Sequence, residues 1–242
     1  MRLQDQFYPL VHRSKDVYLD SAASTLTLNS VVEEIEKYYQ EYRANTHRGI
    51  YESSAKATDM VEATRQTIAH YFAVPKSQII FTSGTTAGLN HLARACFEYN
   101  SNLRVAITDI EHHANHLPWL KEVKKKGVPL HIIPTEDGKI NPQTLQTFLE
   151  ATPVDLLAFP WVSNIFGTTQ DLDAIFEVTQ KHGIKTIVDA CQGIAHHPIE
   201  SLALADAIVF SGHKMYGPTG VGVIRLSQEF TQILPPFFVG GG

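Results

Sequence analysis

From Gln78 to Leu226 the chain alternates short apolar runs with longer stretches of helical period, and that alternation limits the folds open to it. The runs are Gln78–Thr82, Arg104–Thr108, Pro129–Ile133, Asp155–Phe159, Lys185–Val188, Ala207–Phe210 and Val221–Leu226. Between them helices are expected from about Thr86, Ala114, Asn141-Pro142 and Asp171, the third marked by an Asn cap with proline at the first helical position. Two amphipathic segments, Leu28–Tyr42 and Ala55–Phe72, precede the series. Such repetition argues for an α/β fold: a mainly parallel, mixed sheet of seven strands with helices on both faces. At 242 residues and 43% hydrophobic composition the chain can bury that core.

Composition narrows the function. Lys and Arg number 20 against 25 Asp and Glu, a formal charge of −5, and the densest cationic run, Lys124–Lys126, sits where it complements a helix C-terminus. Nucleic acid is not an expected partner. Cys96 and Cys191 form neither a disulfide framework nor a CxxC pair, and no apolar run reaches the roughly 18 residues that suggest a membrane span. The N-terminal MRLQDQFYPL has no apolar signal core, so a soluble protein of the reducing cytoplasm is expected. The dinucleotide GxGxxG and the phosphate-binding GxxxxGK[ST] fingerprints are missing. Three final glycines follow the apolar Leu234–Val239, so the chain reads as cut there: residues 1–30 an N-terminal arm, 31–242 one large domain.

Chemistry-bearing residues gather where these runs end. Ser83-Gly84-Thr85-Thr86 joins a strand to a helix, and its backbone N–H groups and hydroxyls suit an anion; ordinary helix capping explains the same residues equally well. Glu111-His112-His113-Ala114-Asn115-His116 follows another strand. His112 and His116 are one helical turn apart and could join a zinc site given a third ligand, but no HExxH pattern is present; a flat imidazole could instead stack on a ring, and a polar helix start is the ordinary alternative. No metal is expected. Asp189 closes an apolar strand, where a carboxylate needs a cationic partner or a helix N-terminus. Lys214 lies just past Asp206–Phe210, ahead of a glycine-rich turn.

On one parallel sheet, all four sets fall at carboxyl ends of strands, the edge where α/β proteins bind ligands. Pyridoxal phosphate asks for each of them: a cradle for its phosphate, a face for its ring, an acid for its pyridinium nitrogen and an amine for its aldehyde.

The ordered series THRG (46–49), SGTTAGLN (83–90), EHHANHLPW (111–119), VSN (162–164), VDACQ (188–192) and SGHKMYGPTGVG (211–222) resembles the class V aminotransferases, fold-type I enzymes, and within them the cysteine desulfurases and selenocysteine lyases of the sulfur-mobilisation type. The resemblance runs from about Tyr18 to the last glycines. It implies the large domain of a pyridoxal-phosphate enzyme, with Lys214 holding the cofactor's aldehyde and then moving protons, and His112 stacking on the ring. Asp189 would pair with the ring nitrogen and Gln192 with the phenolic oxygen; Thr85, Thr86, Ser211 and His213 would hold the phosphate, and His47 and Asn164 would lie near the substrate. The implied reaction converts L-cysteine, or L-selenocysteine, to L-alanine, leaving a persulfide or its selenium counterpart on an enzyme cysteine. A homodimer and a sulfur-acceptor protein serving iron–sulfur cluster assembly are implied partners.

Two departures stand out. In the resembling enzymes the acceptor cysteine and a carboxylate-clamping arginine lie beyond the triple glycine, in a C-terminal small domain, so this chain lacks that nucleophile. Cys191 is expected to be a packing residue, and Cys96 core. Trp161 stands where a histidine is usual. The same fold could host a transaminase, epimerase or other lyase, and a noncatalytic binding module is the third reading.

Overall fold

The computed structural model describes residues 6–7, 17–47, 49–236 and 238–240; part of the expected arm, Arg48 of the THRG run and the last two glycines lie outside them. The strands are β1 (Ile79–Thr82), β2 (Val105–Thr108), β3 (Leu130–Ile133), β4 (Leu156–Pro160), β5 (Lys185–Asp189), β6 (Ala207–Ser211) and β7 (Gly222–Leu226). The helices are α1 (Asn29–Lys37), α2 (Glu52–Tyr71), α3 (Thr85–Tyr99), α4 (His113–Lys126), α5 (Pro142–Ala151), α6 (Leu172–Lys181) and α7 (Gln228–Ile233). Each expected strand is found within two residues of its expected bounds.

The strands form one sheet in the order β1-β7-β6-β5-β4-β2-β3. The pairs β2–β3, β2–β4, β4–β5 and β5–β6 are parallel, while β7 runs antiparallel to both neighbours. Alternate residues feed two cores. Leu157, Phe159, Val188, Ile208 and Phe210 face one, with Leu145 of α5 and Ile175 and Phe176 of α6. Leu156, Ala158, Ile187, Ala207 and Val209 face the other, with Leu89 and Leu92 of α3 and Trp119 and Val123 of α4. Helices thus cover both faces, and the near-continuous apolar strands are those of a sheet buried on both sides.

Local signals explain the helix starts. The Asn141 side chain accepts from Gln143 and Thr144 N–H ahead of Pro142, and Asp171 accepts from Ala174 N–H. Helix α7, absent from the expected elements, starts on a Ser227 cap and is only six residues long, too short to show a period.

One close approach shapes the sheet's carboxyl edge. Gly222, the first residue of β7, pairs with Thr82 and Ser211 on its two sides. A β-carbon on it would stand 2.5 Å from Gly84 Cα. Gly222→Ala is therefore expected to cost about 1–3 kcal/mol by overpacking and to lower Tm by several degrees, while an alanine at exposed Gly240, which is not in the left-handed region, meets no neighbour within 4 Å. A thermal melt of the two variants checks this; equal melting would show that the edge yields.

Candidate active site

The parallel strands all deliver their carboxyl ends to one edge, and a cavity of about 490 Å³ opens there. Thr85, Thr86, His112, Asn164, Asp189, Gln192, Ser211, His213 and Lys214 all line it. His47 does not: it sits exposed at φ 67°, its N–H donating to Thr58 Oγ1 at 2.8 Å. That bond and the left-handed turn set His47 beside α2, outside the set of residues that line the cavity.

The β1–α3 junction forms the first wall. Gly84, the residue ahead of α3, adopts φ 146° and has no side chain with which to cap the helix. Thr85 N–H donates to Ser211 Oγ at 2.8 Å, and Thr85 Oγ1 lies 2.9 Å from the same hydroxyl and 2.8 Å from Cys191 Sγ. Positive helix-end charge and three hydroxyls therefore converge beside His213, whose imidazole burial and the Lys214 charge push toward the neutral form.

The second wall is the β2–α4 junction. His112 caps α4 through Nδ1, which accepts Ala114 N–H at 3.1 Å, so the ring is fixed with its proton on Nε2. The cap engages a nitrogen that a zinc site would need, and no group of three or more metal-ligating side chains occurs among the described residues. Beneath it, Glu111 accepts from the Thr108 hydroxyl and from Asn115 Nδ2, while Asn115 Oδ1 accepts from Trp119 Nε1. Burial pushes the Glu111 carboxyl up from 4.5 to about 8, against those bonds, and the charge of Asp189 adds to the rise.

Asp189 and Lys214 complete the set. Asp189 is 6% exposed, and its Oδ1 accepts Cys191 N–H at 3.0 Å. Burial pushes its carboxyl up, opposed by that N–H, by Lys214 and by His112. Lys214 ends a short turn, Gly212–Lys214, and is the one amine among the described lining residues. Cys191 is 7% exposed and burial pushes its thiol up to about 12; Cys96, in the core, is likewise pushed up to about 12. Trp161 points away from the cavity, its ring against Gly193 and 5.4 Å from that of His197.

Residues 20–25 supply a roof that motif reading had not assigned to the site. Asp20, Ala22 and Ala23 line the cavity, and Gln192 Nε2 donates to Ala22 O at 2.6 Å. No local signal marks such a segment, because its partners lie some 170 residues along the chain.

The raised carboxyls of Glu111 and Asp189 carry a pH signature. A Glu111 proton held up to about 8 in the folded chain, against 4.5 unfolded, means the folded state binds more protons between those values. Stability should therefore fall as pH rises from 4.5 toward 8, Asp189 adding the same sign. Glu111→Gln should flatten much of that fall in Tm; an unchanged slope would show the carboxyl ionised throughout.

Residues 17–242 match the aminotransferase class-V family, and the chain belongs to it. It is 38% identical over 231 residues to a cysteine desulfurase of Shigella sonnei (strain Ss046), covering 93% of this chain and 56% of that protein. To a cysteine desulfurase of Salmonella newport (strain SL254) it is 35% identical over 243 residues, covering 97% and 60%. A cysteine desulfurase from Thermococcus onnurineus NA1 superposes with a TM-score of 0.91 at 32% identity, covering all of this chain and 61% of that one. The cysteine desulfurase CsdA of Escherichia coli gives 0.82 at 32%, covering 99% and 60%. The chain thus spans less than two thirds of the length of these relatives. Class-V aminotransferases and cysteine desulfurases use pyridoxal phosphate.

Proposed function

We propose that residues 31–242 form the cofactor-binding large domain of a pyridoxal-phosphate-dependent cysteine desulfurase acting on L-cysteine or L-selenocysteine, with residues 1–30 as its N-terminal arm. The observation that carries the reading is the meeting, in one cavity, of the Lys214 amine, a buried acid and a helix N-terminus ringed by hydroxyls. The donor set suits the cofactor at each of its ends: the N-terminus of α3, Thr85, Thr86, Ser211 and His213 for a phosphate, Asp189 for a basic ring nitrogen, Lys214 for an aldehyde. His112, with its ring fixed by the cap, offers a stacking face, and Gln192 an amide for the phenolic oxygen.

Bound pyridoxal phosphate supplies an electrophilic carbon for amines and a protonated ring that draws electron density from the substrate Cα. Lys214 would hold that carbon, and its amine, when free, would move protons at the substrate Cα. Asp189 keeps the proton on the ring nitrogen; burial away from water strengthens that charge pair. Asn164 faces the cavity as a donor toward the substrate. Over the reaction the substrate C–S bond breaks, sulfur passes to a thiolate as a persulfide, and Cβ gains a proton, giving L-alanine. Neither Cys96 nor Cys191 is that thiolate, since burial holds both thiols protonated, with values raised to about 12.

A cytoplasmic enzyme fits this chemistry; among the described residues no helix is long and apolar enough to cross a membrane. A homodimer is the proposed assembly, with a protein thiol as sulfur acceptor.

The chain, loaded with pyridoxal phosphate and desalted, should keep one yellow chromophore per molecule, and L-cysteine should change its spectrum where L-aspartate does not. No retained chromophore overturns the cofactor reading. An equal response to L-aspartate points instead to transaminase chemistry.

A further inference from the structure

We infer that Thr25 is a positioning residue for Lys214, latching the turn that carries the amine; the inference rests on Lys214 being the cofactor-bearing amine proposed above. After β6 the backbone folds back sharply, with Met215 and Gly217 N–H both donating to Gly212 O, at 3.0 and 2.9 Å. Tyr216, two residues past Lys214, is at φ 66°. A β-carbon disfavours that left-handed region, and such a conformation persists only where its surroundings over-determine it.

The hold comes from the N-terminal segment. Tyr216 N–H donates to Thr25 Oγ1 at 2.8 Å, and Tyr216 O accepts Leu28 N–H at 3.3 Å, so both backbone groups of the strained residue are engaged. Thr25 Oγ1 in turn donates to His213 O at 3.0 Å, and Thr25 N–H donates to the same oxygen at 2.9 Å. One hydroxyl thus ties the backbone before Lys214 to the backbone after it. Ser24 Oγ adds a contact at 3.2 Å to His213 Nδ1. Thr25 is 7% exposed, so water competes poorly for these bonds. Without the hydroxyl the turn gains freedom, and the amine spends less time aimed at the cavity.

The test uses Thr25→Val, which keeps shape without the hydroxyl, Thr25→Ser, which keeps the hydroxyl, and Tyr216→Gly, since glycine accepts φ 66° without a latch. Two quantities are read: amide hydrogen exchange at Tyr216 in the cofactor-free chain, and the rate at which borohydride traps pyridoxal phosphate on Lys214. T25V should speed exchange and slow trapping, each about tenfold, while T25S stays within about threefold of the parent. In the Y216G background the effect of T25V on trapping should shrink to about threefold or less. Parent-rate trapping in T25V, T25S as slow as T25V, or an undiminished effect beside Y216G overturns the latch. If T25V alone does not fold, the T25V/Y216G chain against Y216G carries the comparison, and a tenfold gap between them contradicts the inference. A parent chain that traps nothing on Lys214 overturns the functional reading and the link to Lys214 with it; ordinary trapping in both parent and T25V overturns this inference alone.

Discussion

Lys214→Ala is expected to abolish every borohydride-fixed bond between this chain and pyridoxal phosphate, and to weaken the remaining noncovalent hold by about 10²-fold or more. No other amine among the described residues lines the cavity, so no neighbour can replace it. The loss also reaches the acid. Lys214 is one of the charges that pull the Asp189 carboxyl down against the effect of burial, and without it that carboxyl rises further and grips a ring nitrogen less firmly. Spectra and intact-mass measurement before and after reduction check this; a reduced adduct of parental yield in the alanine variant would move the amine elsewhere.

Asp189→Asn should weaken cofactor affinity by roughly tenfold to 10²-fold, the usual worth of a charge-assisted hydrogen bond of about 1.5–3 kcal/mol. Asparagine keeps the shape and can still accept Cys191 N–H through its carbonyl, so the strand end has no reason to move. It also removes a charge that burial disfavours, and the cofactor-free variant should therefore melt no lower than the parent at pH 8. Opposite signs on melting and affinity separate a cofactor role from a structural one. A variant that lost both equally would show Asp189 to be a scaffold residue.

The sheet was legible because its strands are short, apolar and punctuated. Seven runs between Gln78 and Leu226 became seven strands, and the Asn141-Pro142 and Asp171 starts became capped helices. Residues placed by those strand ends were legible with them: Thr85, His112, Asp189, Ser211 and Lys214 each follow within a few residues of a run, and the parallel sheet brings them together. What stayed hidden depends on pairing across distance. Thr25 meets the Lys214 turn 188 residues away, and Asp20 to Ala23 roof the cavity without a helical or strand period to announce them. Glu111 stood inside a motif singled out for its histidines; its bonds to Thr108 and Asn115 are local, but its removal from water, with the Asp189 carboxylate adding to the rise, depends on the folded sheet. His47 shows the converse: a motif residue held on α2 by Thr58, away from the cavity its motif suggested.

A crystal structure of the chain loaded with pyridoxal phosphate is the most direct measurement. The account predicts continuous density from Lys214 Nζ to the cofactor's aldehyde carbon, a hydrogen bond from its ring nitrogen to Asp189, and the phosphate at the start of α3. Density joined to a different lysine, or a ring nitrogen turned away from Asp189, would contradict it.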